Sequence, residues 1–573
     1  MHLNPDKKIA GVLAPVFALR SENDLGVGDV SSLRRLIEWA GETGFRIVQI
    51  LPINETGGDN SPYNAISSVA LDVTTLEVNP AAIPDLTTLA YQLVLEDYDL
   101  PGLQEGAVDY AEIKKLKHAL LTKAFSRFVS REEKVQSERA REFANFCELQ
   151  RAWLGDYAFF RVLVERNGSE RWNTWPIEHS TPITAKDWVE SLAPRAKKDF
   201  FLRLRYFQYV QWIAFAQWKK LHAFCEEKGI ALMGDVPFGV SYFSADVWAD
   251  RESFILDWSG GAPPEPLFKD DPFTAKWGQN WGIPLYNWEV MKANNFRWWR
   301  QRVRMVRELL DLFRIDHVLG CYRIYAFPWR PVDNPTFLPL SEEEAAGRTG
   351  GRLPGFKPRE DDTDENKYAN RVEGEALLRV LLEETGEYRL VGEDLGSVPD
   401  YVRPSLQSLN IAGFKIPQWE REWHGEFIRG EHYERLSVAT YATHDHEPIR
   451  SMWEHWLTNV QENNGEAENS NTEMYRMLRY CGLSTENGLP EFSEEIHFAM
   501  LAALFRCNSW QAVCMVTDLF GLTTRFNVPG AISASNWSNR MDVAVADWKS
   551  DAVLGAHTKK IASILQETGR LLS

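Results

Sequence analysis

The sequence predicts an α/β fold, a (β/α)8 TIM barrel with inserted, mostly helical subdomains on its catalytic face. Three observations carry this expectation. Eight short apolar runs are spread along the 573 residues, most of them separated by amphipathic helical patterns. That alternation, repeated eight times, is the pattern of a parallel barrel. Four of the runs also lead into an acidic residue, and the interval between the second and third is far too long for a simple strand-to-helix connection.

The first run is Ile9 to Val16 (IAGVLAPV). A helix follows at about 31–43, with Leu33, Leu36, Ile37 and Ala40 on one face and Asp29 or Ser31 as its N-cap. The second run is Arg46 to Leu51. The other six are Ile230 to Asp235, Leu312 to Asp316, Tyr388 to Gly392, Ile411 to Ile416, Ser437 to Tyr441 and Ala512 to Val516. Helical patterns at about 200–228, 292–311, 373–385, 399–408 and 490–507 lie between them.

Residues 52–198 hold the helical stretches Ala111–Arg127 and Glu138–Glu165 and the aromatic turn Trp172–Pro176. They read as a subdomain inserted between the second and third strands. Residues 240–290 read as a cleft insertion after the third strand. Residues 331–372, rich in Gly, Pro and acids, read either as a lid after the fourth strand or as an unstructured surface loop. Residues 461–472 (QENNGEAENSNT) read as a further solvated loop.

Composition narrows the function. A formal charge of −18 argues against a nucleic-acid partner and against an anionic membrane, because phosphate binding needs clustered Lys and Arg. No apolar run approaches eighteen residues and the N-terminal stretch lacks the pattern of a signal peptide. The six cysteines are scattered and form no C-x-x-C pair, so they read as reduced cytoplasmic thiols rather than as a disulfide frame or a zinc site. The 22 tryptophans are core anchors in the main, with sugar stacking as the sharper alternative for individual ones.

Acidic strand ends carry the chemistry. Arg314 and Asp316 (FRIDH) alternate on one strand and so share a face. A guanidinium beside a carboxylate favours the charged form, which suits a nucleophile. Taken alone, R-x-D is more often a structural ion pair. Glu393 (VGEDLG) ends the next strand. A general acid there requires burial or a like-charged neighbour to stay protonated. The run Thr440 to Glu447 (TYATHDHE) contains two His and two acids. A metal cluster is disfavoured, since successive residues at a strand end point to opposite sides. Asp445 facing the site, with His444 donating to a sugar hydroxyl, fits better. Asp235 (GDVPFG) is a substrate contact or an organiser of its neighbours. Strand ends converge on one face of a barrel, and two carboxylates in different protonation states are what glycosidic bond cleavage requires.

At these residues the chain resembles the amylomaltase and disproportionating-enzyme family, the 4-α-glucanotransferases of glycoside hydrolase family 77. The resemblance covers nearly the whole chain. It is carried by LGVGD (25–29), LPIN (51–54), NSPY (60–63), SADVW (244–248), GAPP (261–264), GQNWGIPLY (278–286), the three acid motifs, RFNVPG (525–530) and Asn536-Trp537. The family implies Asp316 as nucleophile, Glu393 as acid/base and Asp445 as transition-state stabiliser. It implies glucan contacts at Arg314, His444, Asp235, Tyr63, Gln279, Trp281 and Asn527. It implies no cofactor and no metal. The implied substrates are maltose, maltooligosaccharides and glycogen- or starch-type glucans. Motif wording leans toward the plant-type cytosolic branch, which uses maltose as glucosyl donor and carries N-terminal starch-binding modules not seen in this sequence. Glu265 and His446 stand where the family commonly has Asp and often has Asn. An amylase-type hydrolase and a non-catalytic glucan-binding protein are the competing readings.

Overall fold

The computed structural model describes residues 3–265, 271–486, 488–530 and 535–571. Its strands in chain order are β1 (Ile9–Leu13), β2 (Ile47–Gln49), β3 (Ala231–Pro237), β4 (Phe254–Ala262), β5 (Gln279–Tyr286) and β6 (Leu312–Asp316). There follow β7 (Ile324–Phe327), β8 (Gly355–Lys357), β9 (Leu390–Gly392), β10 (Gly413–Lys415), β11 (Ser437–Ala439) and β12 (Gln511–Met515).

Eight of these form one parallel sheet in the order β10-β11-β12-β1-β2-β3-β6-β9. They are the eight apolar runs expected from the sequence. An isolated parallel bridge joins Val391 to Ala412, and Gly392 N–H donates to Ala412 O at 2.9 Å. These contacts bring the two outer strands together, so the sheet curls into a (β/α)8 barrel. All five residues of β1 and of β12 are buried, as expected for strands wrapped by helices on one side and filled by side chains on the other.

The helices follow from local chemistry. The helix Val30–Thr43 starts where Asp29 accepts from Ser31 N–H at 2.9 Å and Ser32 N–H at 3.3 Å, and it ends at Gly44 in the left-handed region (φ 111°). Asp29 is therefore the N-cap. The long helix Pro194–Lys228 opens with a proline that needs no donor in the first turn and ends on Gly229. The pattern at 292–311 is broken in the structure: Asn295 and Phe296 are both left-handed, which separates Trp288–Ala293 from Arg297–Arg307. The stretch 138–165 is likewise two helices, Glu138–Leu149 and Arg151–Asn167.

Two loop expectations are corrected. Residues 461–472 are not an open loop. They hold the last residues of Ile449–Glu462, a short turn, and the start of Ala467–Cys481. The polar letters cover the outer surface, while Met474, Met477 and Leu478 bury the inner one. Residues 331–372 are not unstructured either. Helices Asn334–Phe337 and Glu342–Thr349 lead to β8, and Asp364 already begins the helix that runs to Thr385. β8 joins a second, antiparallel sheet in the order β5-β4-β7-β8. Trp277, Phe327, Trp329 and Phe337 make a small core of their own beneath it. Part of the expected 240–290 insertion, residues 266–270, lies outside the described residues.

The last described turn closes the molecule. Arg570 is fully buried and donates to the carbonyls of Ile9, Phe505, Cys507, Ser509 and Trp510. These carbonyls stand at or near the starts of β1 and β12, whose Ile9 and Gln511 pair directly.

Candidate active site

Strand order places three acids side by side. β3, β6 and β9 are consecutive neighbours, with Asp235 opposite Arg314, Pro237 opposite Asp316, and Ile315 opposite Gly392. Glu393 follows β9 by one residue. Its N–H donates to Ile315 O at 3.0 Å, which continues the ladder and holds the residue at the C-terminal rim.

Arg314 is the hub. Its side chain is only 4% exposed. Nη1 donates to Asp235 Oδ2 at 2.6 Å and to Asp316 Oδ1 at 2.8 Å, while Nη2 stands 3.9 Å from Glu393 Oε2. The ring of Phe414 lies 5.8 Å from the guanidinium carbon. One cation thus serves three carboxylates, and Arg314 and Asp316 share a face as the R-x-D alternation requires.

The acids differ in environment. Glu393 is buried, and burial pushes its carboxyl up to about 8. Arg314 opposes that rise, and the nearby Asp316 charge adds to it. His317 N–H donates to Glu393 Oε2 at 2.7 Å and Leu395 N–H to Oε1 at 3.1 Å, so the carboxyl is fixed from both sides. The first donor is aimed by an unusual backbone, since His317 is left-handed at φ 48°. Asp316 is half-buried, its side chain 28% exposed to the cleft. Asp235 is buried, and burial raises its carboxyl against the pull of Arg314.

Asp445 comes from the loop after β11. Asn527 Nδ2 donates to its Oδ1 at 2.6 Å, His444 Nε2 lies 3.2 Å from its Oδ2, and Arg525 Nη2 donates to its backbone carbonyl at 2.6 Å. Burial disfavours its charge, but His444 and the Asn527 amide outweigh burial and hold the carboxyl well below the usual carboxylate range. Tyr63 links the two halves of the site. Its hydroxyl donates to Asp235 Oδ2 at 2.6 Å and stands 3.3 Å from His444 Nδ1, and its ring stacks on His444 at 4.9 Å between centroids. The residues of TYATHDHE turn to different partners. His446 Nδ1 meets Thr443 N at 3.0 Å, and Glu447 meets Arg525 at 3.7 Å and His455 at 3.5 Å.

Gln279 and Trp281 stand on β5. Trp281 Nε1 donates to Gln279 Oε1 at 3.2 Å, and the indole meets the His317 ring edge-on at 4.9 Å. It sits over the residue whose N–H holds Glu393. All ten residues singled out in the sequence therefore interconnect around one cleft.

Five further residues around the site lack that status in the sequence reading. Trp537 tilts against Tyr63 and His444, Arg525 holds the Asp445 backbone, and His317 orients Glu393. Trp419 meets His446 edge-on at 4.9 Å, and Trp423 stands close by in sequence on the same loop. Arg525 and Trp537 lie inside the RFN and NW motifs, so those motifs carried a signal for them. The left-handed backbone of His317 and the exposure of Trp419 and Trp423 have no sequence signature.

A parallel barrel with acids gathered at adjacent C-terminal strand ends, a buried protonated carboxyl among them and aromatic rings around the opening belongs to the carbohydrate-active barrel enzymes. The family model described as 4-alpha-glucanotransferase (glycoside hydrolase family 77) matches residues 14–545, and the chain belongs to that family. The chain is similar to the 4-alpha-glucanotransferase of Chlamydia caviae, 29% identical over 569 residues that cover 96% of this chain and 94% of the relative. It is also similar to the chloroplastic/amyloplastic 4-alpha-glucanotransferase of Solanum tuberosum, 28% identical over 584 residues that cover 99% and 87%. Among solved structures it shares the fold of the amylomaltase from Streptococcus agalactiae in complex with acarbose, with a TM-score of 0.72, 22% identity and coverage of 98% of this chain and 100% of that one.

Proposed function

We propose that this chain transfers α-1,4-linked glucosyl or maltooligosyl units between glucans by a retaining double displacement, with Asp316, Glu393 and Asp445 as its catalytic carboxylates. The observation that supports this most is the shared Arg314 guanidinium, which touches Asp316 while Glu393, close by, is pushed up to about 8. Burial, working against Arg314, keeps the Glu393 carboxyl protonated at neutral pH, as a general acid needs.

In the first step an Asp316 carboxylate oxygen attacks the anomeric carbon, the glycosidic bond breaks, and the Glu393 proton passes to the departing oxygen. In the second, the 4-hydroxyl of another glucan gives its proton to Glu393 and attacks the same carbon, and Asp316 leaves. Asp445 stays ionised and stabilises the positive charge that develops on the sugar ring. Tyr63, Asp235 and His444 hold hydroxyls, and Gln279, Trp281 and Asn527 line the cleft. Maltose and maltooligosaccharides are the donors we favour, with glycogen- or starch-type chains as acceptors. The six cysteines are all free, which supports a reducing, cytoplasmic setting. Among the described residues no helix is long and apolar enough to cross a membrane.

Incubation with maltose and maltotriose separately, then with glycogen as acceptor, tests the reading. A ladder of longer oligomers is the expected product of maltotriose, whereas exclusively shorter sugars would mean hydrolysis. Asp316→Asn is expected to abolish turnover with the thermal transition preserved, and near-normal activity would remove Asp316 from its role.

A further inference from the structure

All 22 tryptophans are described, and of these only Trp281, Trp419 and Trp423 are exposed. The first two border the cleft, through His317 and His446. The third is 96% exposed, and its ring contact is with its own neighbour in sequence, His424, at 5.2 Å. Trp423 sits at the tip of a short hairpin that springs from Trp419 and Glu420. Arg421 pairs with Phe427 across it, Ile428 N–H donates to Glu420 O, Glu422 N–H donates to Glu426 O at 2.8 Å, and Gly425 turns the tip at φ 88°.

Both arms are tied to the helix Ala467–Cys481. Arg421 makes a two-pronged pair with Glu473 at 3.1 and 2.7 Å, and Glu426 makes another with Arg479 at 2.9 and 2.7 Å. Arg476 bonds Glu473 at 2.7 Å and links the two. Such forked pairs fix direction as well as distance. The hairpin arms are thus held in place and carry the tip indole out into water, on a loop whose root reaches the neighbour of Asp445.

We infer that Trp423 is an outer stacking platform for a glucan chain that continues past the cleft, so that this hairpin sets a preference for longer chains. This rests on the glucan-transfer reading given above. An indole offers a flat apolar face to the C–H face of a pyranose ring, and a hairpin already ordered by its arms need not be ordered again when a sugar settles on it. Continuity with the cleft, through Trp419 and His446, favours a sugar chain over other occupants.

The test compares kcat/KM for maltotriose, maltoheptaose and glycogen in the unaltered chain, Trp423→Ala and Trp423→Phe. Transfer among maltotriose molecules by the unaltered chain checks the underlying reading independently. If Trp423 is the platform, Trp423→Ala lowers kcat/KM for maltoheptaose and glycogen about tenfold relative to maltotriose, mainly through KM, and Trp423→Phe restores most of it. An unchanged long-to-short ratio overturns the inference. So does a loss of self-association in sedimentation without any length dependence, which would make the indole a contact with a second copy of the chain.

Discussion

Arg314 carries an unusual electrostatic load. It is buried, bonds Asp235 and Asp316 directly and stands 3.9 Å from Glu393. Removing one partner from such a cluster leaves carboxylates buried without compensation, a loss of about 3–5 kcal/mol. Arg314→Ala is therefore expected to lower the midpoint of urea unfolding as well as to abolish transfer, whereas Asp316→Asn removes activity alone. Glu393 makes a separate prediction. Its carboxyl is raised from 4.5 to about 8 by burial, so it is protonated at neutral pH and loses its proton as pH climbs. The kcat/KM profile should fall on its alkaline side near pH 8, and Glu393→Gln should show no such limb in whatever activity remains. The sign for stability follows from the same shift. Between pH 4.5 and about 8 the unfolded chain has lost this proton and the folded chain has kept it, so this group's contribution to stability falls as pH rises. Measured by denaturant titration at several pH values, Glu393→Gln should gain stability relative to the parent across that window.

Secondary-structure elements show how far local chemistry reaches. The eight barrel strands are legible because their apolar runs are too brief for a helix and too apolar for a surface loop, which leaves a buried strand. The sequence narrows the N-cap of the first helix to two residues, and the geometry selects Asp29, whose oxygen accepts from two backbone donors. Asp29→Ala should cost about 1 kcal/mol, read as a shift in thermal midpoint. Segments 331–372 and 461–472 mislead for one physical reason. A helix or strand lying on the surface of a large protein needs only a thin apolar stripe, and acidic or amide residues on its outer side hide that stripe. In one case it falls at Met474, Met477 and Leu478, just beyond the segment, and in the other at Phe337 and Ala345. Helix breaks at Gln150 and at Asn295–Phe296 are also invisible in the sequence, since none of these residues is Gly or Pro.

Taken whole, the molecule brings distant segments together in ways that spacing along a chain does not reveal. Tyr63 meets Asp235 and His444 from far upstream, and Asn527 meets Asp445 from well downstream. Motif order suggests these residues, and only the closed barrel supplies their contacts. The least predictable contact is Arg570, whose five carbonyl partners include residues at the starts of β1 and β12. Arg570→Met would take this donor from buried carbonyls, of which Trp510 O keeps the Ile9 N–H at 2.8 Å, and a loss of several kcal/mol is expected, about 1–3 for each group left without a partner. Urea unfolding of the variant would report it.

The same seam has a consequence for biosynthesis. β1 leaves the ribosome about 500 residues ahead of β12, one of its two neighbours. At roughly 5–20 residues per second, β1 waits on the order of half a minute or longer with an unpaired edge. During that interval the nascent chain presents an open strand to every other protein nearby. Its yield in cells should therefore depend on chaperone supply and on translation speed far more than its finished, edge-free barrel would suggest.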